Sequence, residues 1–127
     1  FSEGKPDVLL VDTTGELAGW YLCATVVFVG KSLCAQGGQN PAEPIAAGVP
    51  VIFGPHMQNF STLVRAFLHK GGAMEVKDAT GIRNAVTDLL ASSNLRADMV
   101  ANAAKCLEIH RGATKKTTDL LQSRILL

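Results

Sequence analysis

The sequence has too few cysteines and histidines, at the wrong spacings, to build a metal centre. Its three cysteines and three histidines are scattered, with no Cys-x-x-Cys and no His-x-x-x-His pair. An odd cysteine count without such spacing is typical of a reducing compartment, where thiols act as small apolar side chains. We therefore expect no zinc site, and because no Asp-x-Asp cluster occurs, no other metal either.

The sequence also lacks a large net charge and long apolar runs. A formal net charge of +1 gives no reason to expect a nucleic-acid partner. The apolar runs at 26–29 and 49–53 are far shorter than the ~20 residues of a membrane span, and the polar residues 1–7 do not resemble a signal peptide. With 47% hydrophobic and 18% charged residues, the composition is that of one globular domain. The chain does not begin with Met and enters a strand pattern almost at once, so we expect it to be part of a longer protein.

Turn, helix-cap and strand patterns are most concentrated at residues 37–54, GGQNPAEPIAAGVPVIFG. The glycine pair Gly37 and Gly38 permits positive φ or a close approach to a ligand. Asn40 suits an N-cap, and Glu43 stands three residues later, as in a capping box. A short helix over 42–47 should follow, then a buried strand over 49–53. A glycine turn that leads into a helix start is a plausible place for a phosphorylated ligand.

Short apolar runs alternate with helical patterns along the whole chain. We predict strands at 7–11, 25–29, 49–53 and 73–76, and helices at 16–23, 42–47, 59–69, about 82–90, 94–107 and 113–124. This alternation indicates an α/β fold, a Rossmann-like parallel sheet with helices on both faces. Polar loops at 12–16, 30–43 and 54–59 follow the first three strands, at the sheet edge where such folds bind ligands.

Several motifs resemble those of the bacterial 3-deoxy-D-manno-octulosonic acid (Kdo) transferases. Residues 12–17 (DTTGEL) resemble their D-T-x-G-E-L, and residues 28–33 (FVGKSL) resemble F-V-G-G-S-L. Residues 37–44 (GGQNPAEP) are similar to G-G-H-N-P-L-E-P, and residues 53–60 (FGPHMQNF) fit F-G-P-x-x-x-N-F. Residues 111–113 (RGA) fit a motif near the family's C-terminus. Five motifs in the family's order cover nearly the whole chain.

The resemblance implies a two-domain GT-B glycosyltransferase that transfers Kdo from CMP-Kdo to the lipid A precursor of lipopolysaccharide. Residues 1–127 would be the later part of its C-terminal, CMP-Kdo-binding domain. The acceptor surface and the catalytic base would belong to the N-terminal domain, so no catalytic residue is expected in this chain. CMP-Kdo is a substrate, and no separate cofactor is implied. The parent would act at the cytoplasmic face of the bacterial inner membrane.

The family's motifs also define two departures in this chain. Gln39 stands where the family has His, which keeps hydrogen bonding but removes a titrating group. Lys31 stands where the family has Gly, which places a long cation beside the expected donor site. Lys31 either helps to bind a phosphate or the Kdo carboxylate, or projects into solvent.

Glu43 is the leading candidate for the donor site. A carboxylate can accept hydrogen bonds from both hydroxyls of a ribose, although Glu43 and Asn40 also fit a capping box that binds nothing. The N–H groups of Gly37 and Gly38 can face a donor phosphate, or the pair can simply shape a turn. Ser32 can add a hydroxyl to the same phosphate or be an ordinary loop serine.

The other candidates lie in the two remaining polar loops. Gly15 and Glu16 begin a helix at the ligand edge, where Glu16 can bond the sugar or base, or merely complement the helix start. Asn59 can contact the donor or cap the helix that carries Phe60. His56 is a weaker candidate in the same loop.

Two other functions remain open from the sequence. One is another GT-B enzyme that uses a UDP-sugar, either a transferase or an epimerase. The other is a non-catalytic α/β interaction module. Sheet edges and apolar surface left uncovered in a partial domain would also favour self-association.

Overall fold

The fold is a parallel β-sheet covered by helices, seen in a computed structural model that describes residues 7–110 and 113–125. The strands are β1 (Val27–Phe28), β2 (Val51–Phe53) and β3 (Met74–Glu75), in the order β1-β2-β3. Both pairings are parallel, with Val27 opposite Val51 and Ile52 opposite Met74. The predicted α/β class is confirmed, and the strands at 25–29, 49–53 and 73–76 are present in shorter form.

The residues that the structure describes form six α-helices. They are α1 (Leu17–Tyr21), α2 (Ala42–Ala46), α3 (Ser61–Lys70), α4 (Ala79–Ala91), α5 (Ser93–His110) and α6 (Ala113–Ile125). A 3₁₀ turn, Gln58–Phe60, precedes α3. Within residues 7–110 and 113–125, no helix is both long enough and apolar enough to cross a membrane.

The helices cover both faces of the sheet because β2 is apolar on both sides. Its three residues are all 0% exposed. Val51 and Phe53 join one apolar cluster with Phe67 of α3, whereas Ile52 joins a second with Leu89 of α4. Successive strand residues point to opposite faces, so these clusters lie on opposite sides of the sheet. The predicted arrangement of helices on both faces is confirmed.

Helix α5 belongs to both halves of the core. It contacts α2, α3 and α4, and it places Ala103 and Cys106 in the first cluster and Met99 in the second. Its start is capped by the Ser92 hydroxyl, which accepts a hydrogen bond from the N–H of Leu95 at 3.1 Å. The helix predicted at 94–107 therefore begins one residue earlier, after the serine that makes the cap bond.

The predicted strand at 7–11 is not formed. Val8 is 84% and Leu10 85% exposed, and this segment pairs with none of the described strands. β-Branched composition favours a strand only where a neighbouring strand supplies hydrogen bonds and packing. β1 is an edge strand of the sheet that the structure describes, and residues 7–11 do not pair with it.

Ser32 fixes the geometry at the carboxyl end of the sheet. Its hydroxyl donates a hydrogen bond to the carbonyl oxygen of Val29 at 2.6 Å and accepts one from the N–H of Gly54 at 2.7 Å. Its carbonyl oxygen accepts a bond from the N–H of His56 at 2.9 Å. Ser32 is 0% exposed. The loop after β1 is thus held directly against the loop after β2.

Gly54 makes this contact possible because it has no side chain. A Cβ on Gly54 would lie 2.6 Å from the carbonyl carbon of Ser32 and 2.7 Å from the Cα of Leu33. Those are backbone atoms, which cannot swing aside as a side chain would. The close approach of the two loops therefore requires glycine at this position.

Replacement of Gly54 by alanine tests this packing. We expect Gly54→Ala to lower the free energy of unfolding by about 1–3 kcal/mol, because the methyl group forces the two backbones apart. Gly30→Ala is the matched control, since a Cβ there meets nothing within 4 Å. Urea denaturation measures both, and equal stability of the two variants would contradict the proposed close packing.

Candidate functional site

The loops after β1 and β2 form one continuous surface at the carboxyl edge of the sheet. We call residues 30–41 and 54–60 the paired loops. Besides the Ser32 bonds, the N–H of Gly38 donates to the carbonyl oxygen of His56 at 2.8 Å. The N–H of Gly37 donates to Oε1 of Gln58 at 3.3 Å. Two of the three polar loops predicted to converge are therefore in direct contact.

The glycine pair is required by the packing of the paired loops. Gly37 has φ of +78°, a left-handed conformation, and a Cβ there would lie 2.9 Å from Nδ2 of Asn59. A Cβ on the buried Gly38 would overlap Sδ of Met57. Both N–H groups are engaged within the protein. Of the two, the Gly37 N–H has the longer bond, made to an exposed side chain that a ligand can displace.

Ser32 has a structural role in this arrangement. Its hydroxyl bonds to backbone on both sides and has no exposure to solvent. The phosphate contact predicted from the sequence would require this bridge to open. The geometry therefore favours Ser32 as a support of the paired loops.

Asn40 and Glu43 are bonded to each other at the start of α2. Oδ1 of Asn40 accepts a hydrogen bond from the N–H of Ala42 at 3.0 Å, so the Asn40 side chain makes the cap bond from the position before Pro41, the residue that precedes α2. Its Nδ2 donates to Oε1 of Glu43 at 3.1 Å. In a standard capping box the glutamate bonds the backbone N–H of the cap, whereas here it bonds the side-chain amide.

Glu43 keeps one oxygen for other use. Oε1 is taken by Asn40, while Oε2 accepts no hydrogen bond from the residues that the structure describes. The side chain is exposed and lies in the first turn of α2. The capping function and a ligand contact are therefore compatible, because they use different atoms of one carboxylate.

Tyr21 lies near Glu43, which the sequence did not indicate. Tyr21 ends α1, which contacts α2, and its side chain is half-buried. Burial, and secondly the negative charge of Glu43, raise the pKa of Tyr21 above its ordinary value. The two residues stand 22 positions apart, so only the packing of α1 against α2 brings them together.

Gly15 and Glu16 lie on the third polar loop, which is more open than the paired loops. Gly15 has φ of +90°, and Glu16 is the residue before α1. The Thr13 hydroxyl donates to Oε2 of Glu16 at 2.6 Å. This segment borders an open cavity of about 480 Å³, whose walls also include Leu17 and Trp20. Through α1 the loop is connected to Tyr21 and the Glu43 side of the site.

The remaining predicted residues lie on the outer surface of the paired loops. Lys31 is exposed and has φ of +64°, a left-handed conformation that is unfavourable for any residue with a Cβ. Asn59 is exposed within the 3₁₀ turn, with its amide against Gly37. The alternative that Asn59 caps α3 is wrong, because Phe60 occupies the cap position and makes no side-chain bond. Arg111 and Gly112 of the RGA motif lie outside the described residues.

Comparison with known proteins identifies relatives of this chain. No protein-family model matches it. The chain is 41% identical over 116 residues to the 3-deoxy-D-manno-octulosonic acid transferase of Bordetella pertussis, covering 91% of the chain and 27% of that relative. Identity to the Haemophilus influenzae enzyme of the same name is 38%, with the same coverage. The chain thus spans about a quarter of the length of the curated relatives it matches.

A solved structure agrees with this sequence relationship. The crystal structure of the C-terminal CMP-Kdo binding domain of WaaA from Acinetobacter baumannii matches with a TM-score of 0.73 and 35% identity. The match covers 76% of this chain and 51% of that domain. The resemblance that the motifs indicated is confirmed, both in sequence and in fold.

The left-handed conformation at Lys31 leads to a stability prediction. Lys31→Gly and Lys31→Ala both remove the cation, but only glycine adopts this φ without steric cost. We expect the glycine variant to exceed the alanine variant in free energy of unfolding by about 1 kcal/mol, measured by urea denaturation. An alanine variant as stable as the glycine one would show that residue 31 does not hold this φ in solution.

Proposed function

We propose that this chain, a homologue of the C-terminal part of the 3-deoxy-D-manno-octulosonic acid transferases, belongs to the donor-binding domain of such an enzyme and binds the CMP part of CMP-Kdo. The observation that carries the proposal is the fold match to a domain described as CMP-Kdo binding. The paired loops and the start of α2 lie beyond the carboxyl ends of parallel strands, where α/β folds bind nucleotides.

Glu43 has the central role in this proposal. Its Oε2 accepts hydrogen bonds from the ribose hydroxyls, while Asn40 holds Oε1 in place. Hydrogen bonds to a charged acceptor are the stronger kind, at about 1.5–3 kcal/mol each. Glu43 therefore contributes both affinity and orientation of the nucleoside.

The phosphate of CMP lies against the paired loops in this proposal. The N–H of Gly37 exchanges its long bond to Gln58 for a phosphate oxygen. The Lys31 ammonium group, exposed on the same loop, adds a positive charge. Such donors stabilise the charge that develops on CMP as it leaves.

We extend this proposal to the activity of the longer protein to which this chain would belong. The parent is a GT-B glycosyltransferase that transfers Kdo to the lipid A precursor at the cytoplasmic face of the inner membrane. This chain supplies donor binding, while an N-terminal domain supplies the acceptor surface and the catalytic base. Support comes from the relatives' names and from the small share of their length that this chain spans.

CMP titration by calorimetry tests the donor site. We expect Glu43→Gln to weaken CMP binding about tenfold or more, because its uncharged amide is a poorer acceptor for the ribose hydroxyls. Asp88→Asn is the matched control, since Asp88 is an exposed carboxylate on α4, outside the paired loops and α2. Equal losses in both variants would point to a general effect of charge.

Competition between nucleotides tests the donor's identity. We expect CMP to bind more tightly than UMP or UDP, with amide chemical shifts of residues 37–43 that move as CMP is added. UDP binding tighter than CMP would instead favour an enzyme that uses a UDP-sugar. A folded chain whose amides at 37–43 do not respond to millimolar CMP would reject the donor site and favour an interaction module.

A further inference from the structure

The two N–H groups of the glycine pair donate to acceptors of different kinds. The N–H of Gly38 donates to the backbone carbonyl oxygen of His56 at 2.8 Å. The N–H of Gly37 donates to the side-chain oxygen Oε1 of Gln58 at 3.3 Å. Gln58 is exposed in the 3₁₀ turn before α3, so its side chain can turn away while the backbone stays in place. The N–H of Gly37 is therefore the donor of this pair that another acceptor can take over.

The shape of the paired loops does not depend on the Gln58 side chain. The hydroxyl of Ser32 accepts a hydrogen bond from the N–H of Gly54 at 2.7 Å, and its carbonyl oxygen accepts one from the N–H of His56 at 2.9 Å. These bonds and the Gly38 bond join the two loops without any atom of Gln58. The loops should therefore keep their shape when the bond from Gly37 to Gln58 is lost.

Asn59 places a second donor at Gly37. Its Nδ2 would lie 2.9 Å from a Cβ on Gly37, and within the described part of the chain it donates no hydrogen bond. Gln58 brings one uncharged oxygen to this place, whereas a phosphate brings several oxygens and a negative charge. Hydrogen bonds to an ionised acceptor are roughly twice as strong as those between neutral groups. A phosphate group is thus the better acceptor at this position.

Gln58 has open space and an alternative donor on its other side. It borders a groove of about 190 Å³ beside α3, whose walls also include Ser61 and Arg65. Nε of Arg65 donates to the carbonyl oxygen of Ser61 at 3.3 Å. The other two guanidinium nitrogens donate no hydrogen bond within residues 7–110 and 113–125. The guanidinium can therefore accommodate Oε1 of Gln58 when that oxygen leaves Gly37.

We propose that Gln58 is a specificity-determining residue of the donor site, whose Oε1 competes with a phosphate oxygen for the N–H of Gly37. An uncharged acceptor gains little by replacing another uncharged oxygen, whereas a charged one does gain, so the competition selects for an anion at this position. The same competition weakens the hold on CMP after transfer and favours its release. This role rests on the function proposed above, and it adds a side chain that opposes phosphate binding.

Two substitutions with opposite expected effects test the competition, with CMP as the probe and calorimetry as the measurement. Gln58→Met keeps the length of the side chain but removes the acceptor, and should strengthen CMP binding about threefold. Gln58→Glu charges the acceptor and should weaken CMP binding about tenfold, because the carboxylate holds the Gly37 N–H more strongly and repels the phosphate. A purely supporting role would weaken binding in both variants.

Two controls accompany these variants. Gln122→Met replaces an exposed glutamine on α6, outside the paired loops, and should leave CMP binding unchanged. Cytidine, which lacks the phosphate, should bind equally to the unaltered chain and to both Gln58 variants in an NMR titration. Circular dichroism on each variant verifies that the fold is retained.

Amide hydrogen exchange, measured by NMR without nucleotide, tests the contact itself. The Gly37 amide should exchange faster in Gln58→Met, which lacks the acceptor, and more slowly in Gln58→Glu, which strengthens it. The Gly38 amide is the internal control, since its bond to His56 is unaltered. A Gly37 amide that exchanges at one rate in all three chains would overturn the role of Gln58, whatever the CMP result.

The donor function and the competition fail in different ways. CMP that does not bind to the unaltered chain would overturn both together. CMP binding that Gln58→Met leaves unchanged or weakens would overturn the competition alone. Cytidine binding that changes by the same factor as CMP binding would also overturn the competition, because the phosphate would then not be the competing group.

Discussion

The buried hydroxyl of Ser32 is the interaction on which the carboxyl edge of the sheet depends. It is an acceptor for the N–H of Gly54 and a donor to Val29, so one side chain satisfies backbone groups of two different loops. Without it, a buried N–H would lose its partner, at a cost of about 1–3 kcal/mol. The same bridge brings Gly37 and Gly38 against residues 56–59, which gives the paired loops their shape. The site is therefore built on a polar contact within the core and not on the surface residues that line it.

Glu43 shows that a helix cap and a ligand contact need not compete. The sequence presents them as alternatives, because the residue type and spacing fit both. In the structure the cap and the ligand contact use different atoms of Glu43, since Asn40 bonds only to Oε1. A residue whose conformation is already fixed by a structural bond is well suited to bind a ligand with its second oxygen. The bond from Asn40 therefore helps to fix the conformation of Glu43 before a ligand binds.

Local sequence patterns predicted the parts of the fold that depend only on residues close together in the sequence. The cap at Asn40, the stop after α2 and the apolar run of β2 depend on neighbours within a few positions, and all three are present. The run at 7–11 has the same composition as a strand, but strand formation depends on a partner that no local pattern reveals. The proximity of Tyr21 to Glu43 and the burial of Ser32 arise from packing between segments about 22 residues apart. Motif resemblance pointed to the loops of the candidate site, whereas the hydrogen bonds that already occupy their atoms could be read only from the structure.

The position of α5 determines when this domain can become stable during synthesis. The strands and helices α2 to α4 are synthesised before α5. The apolar cluster on each face of the sheet is complete only when α5 adds Met99 on one side and Ala103 and Cys106 on the other. Roughly fifty residues separate the end of β2 from Ala103. At a synthesis rate of about 5–20 residues per second, the central strand is therefore incompletely covered for several seconds. A nascent chain in this interval has apolar surface open on both faces of the sheet. Helix α5 thus makes folding of the domain a late and cooperative event, completed only when the last helix of the described core has left the ribosome.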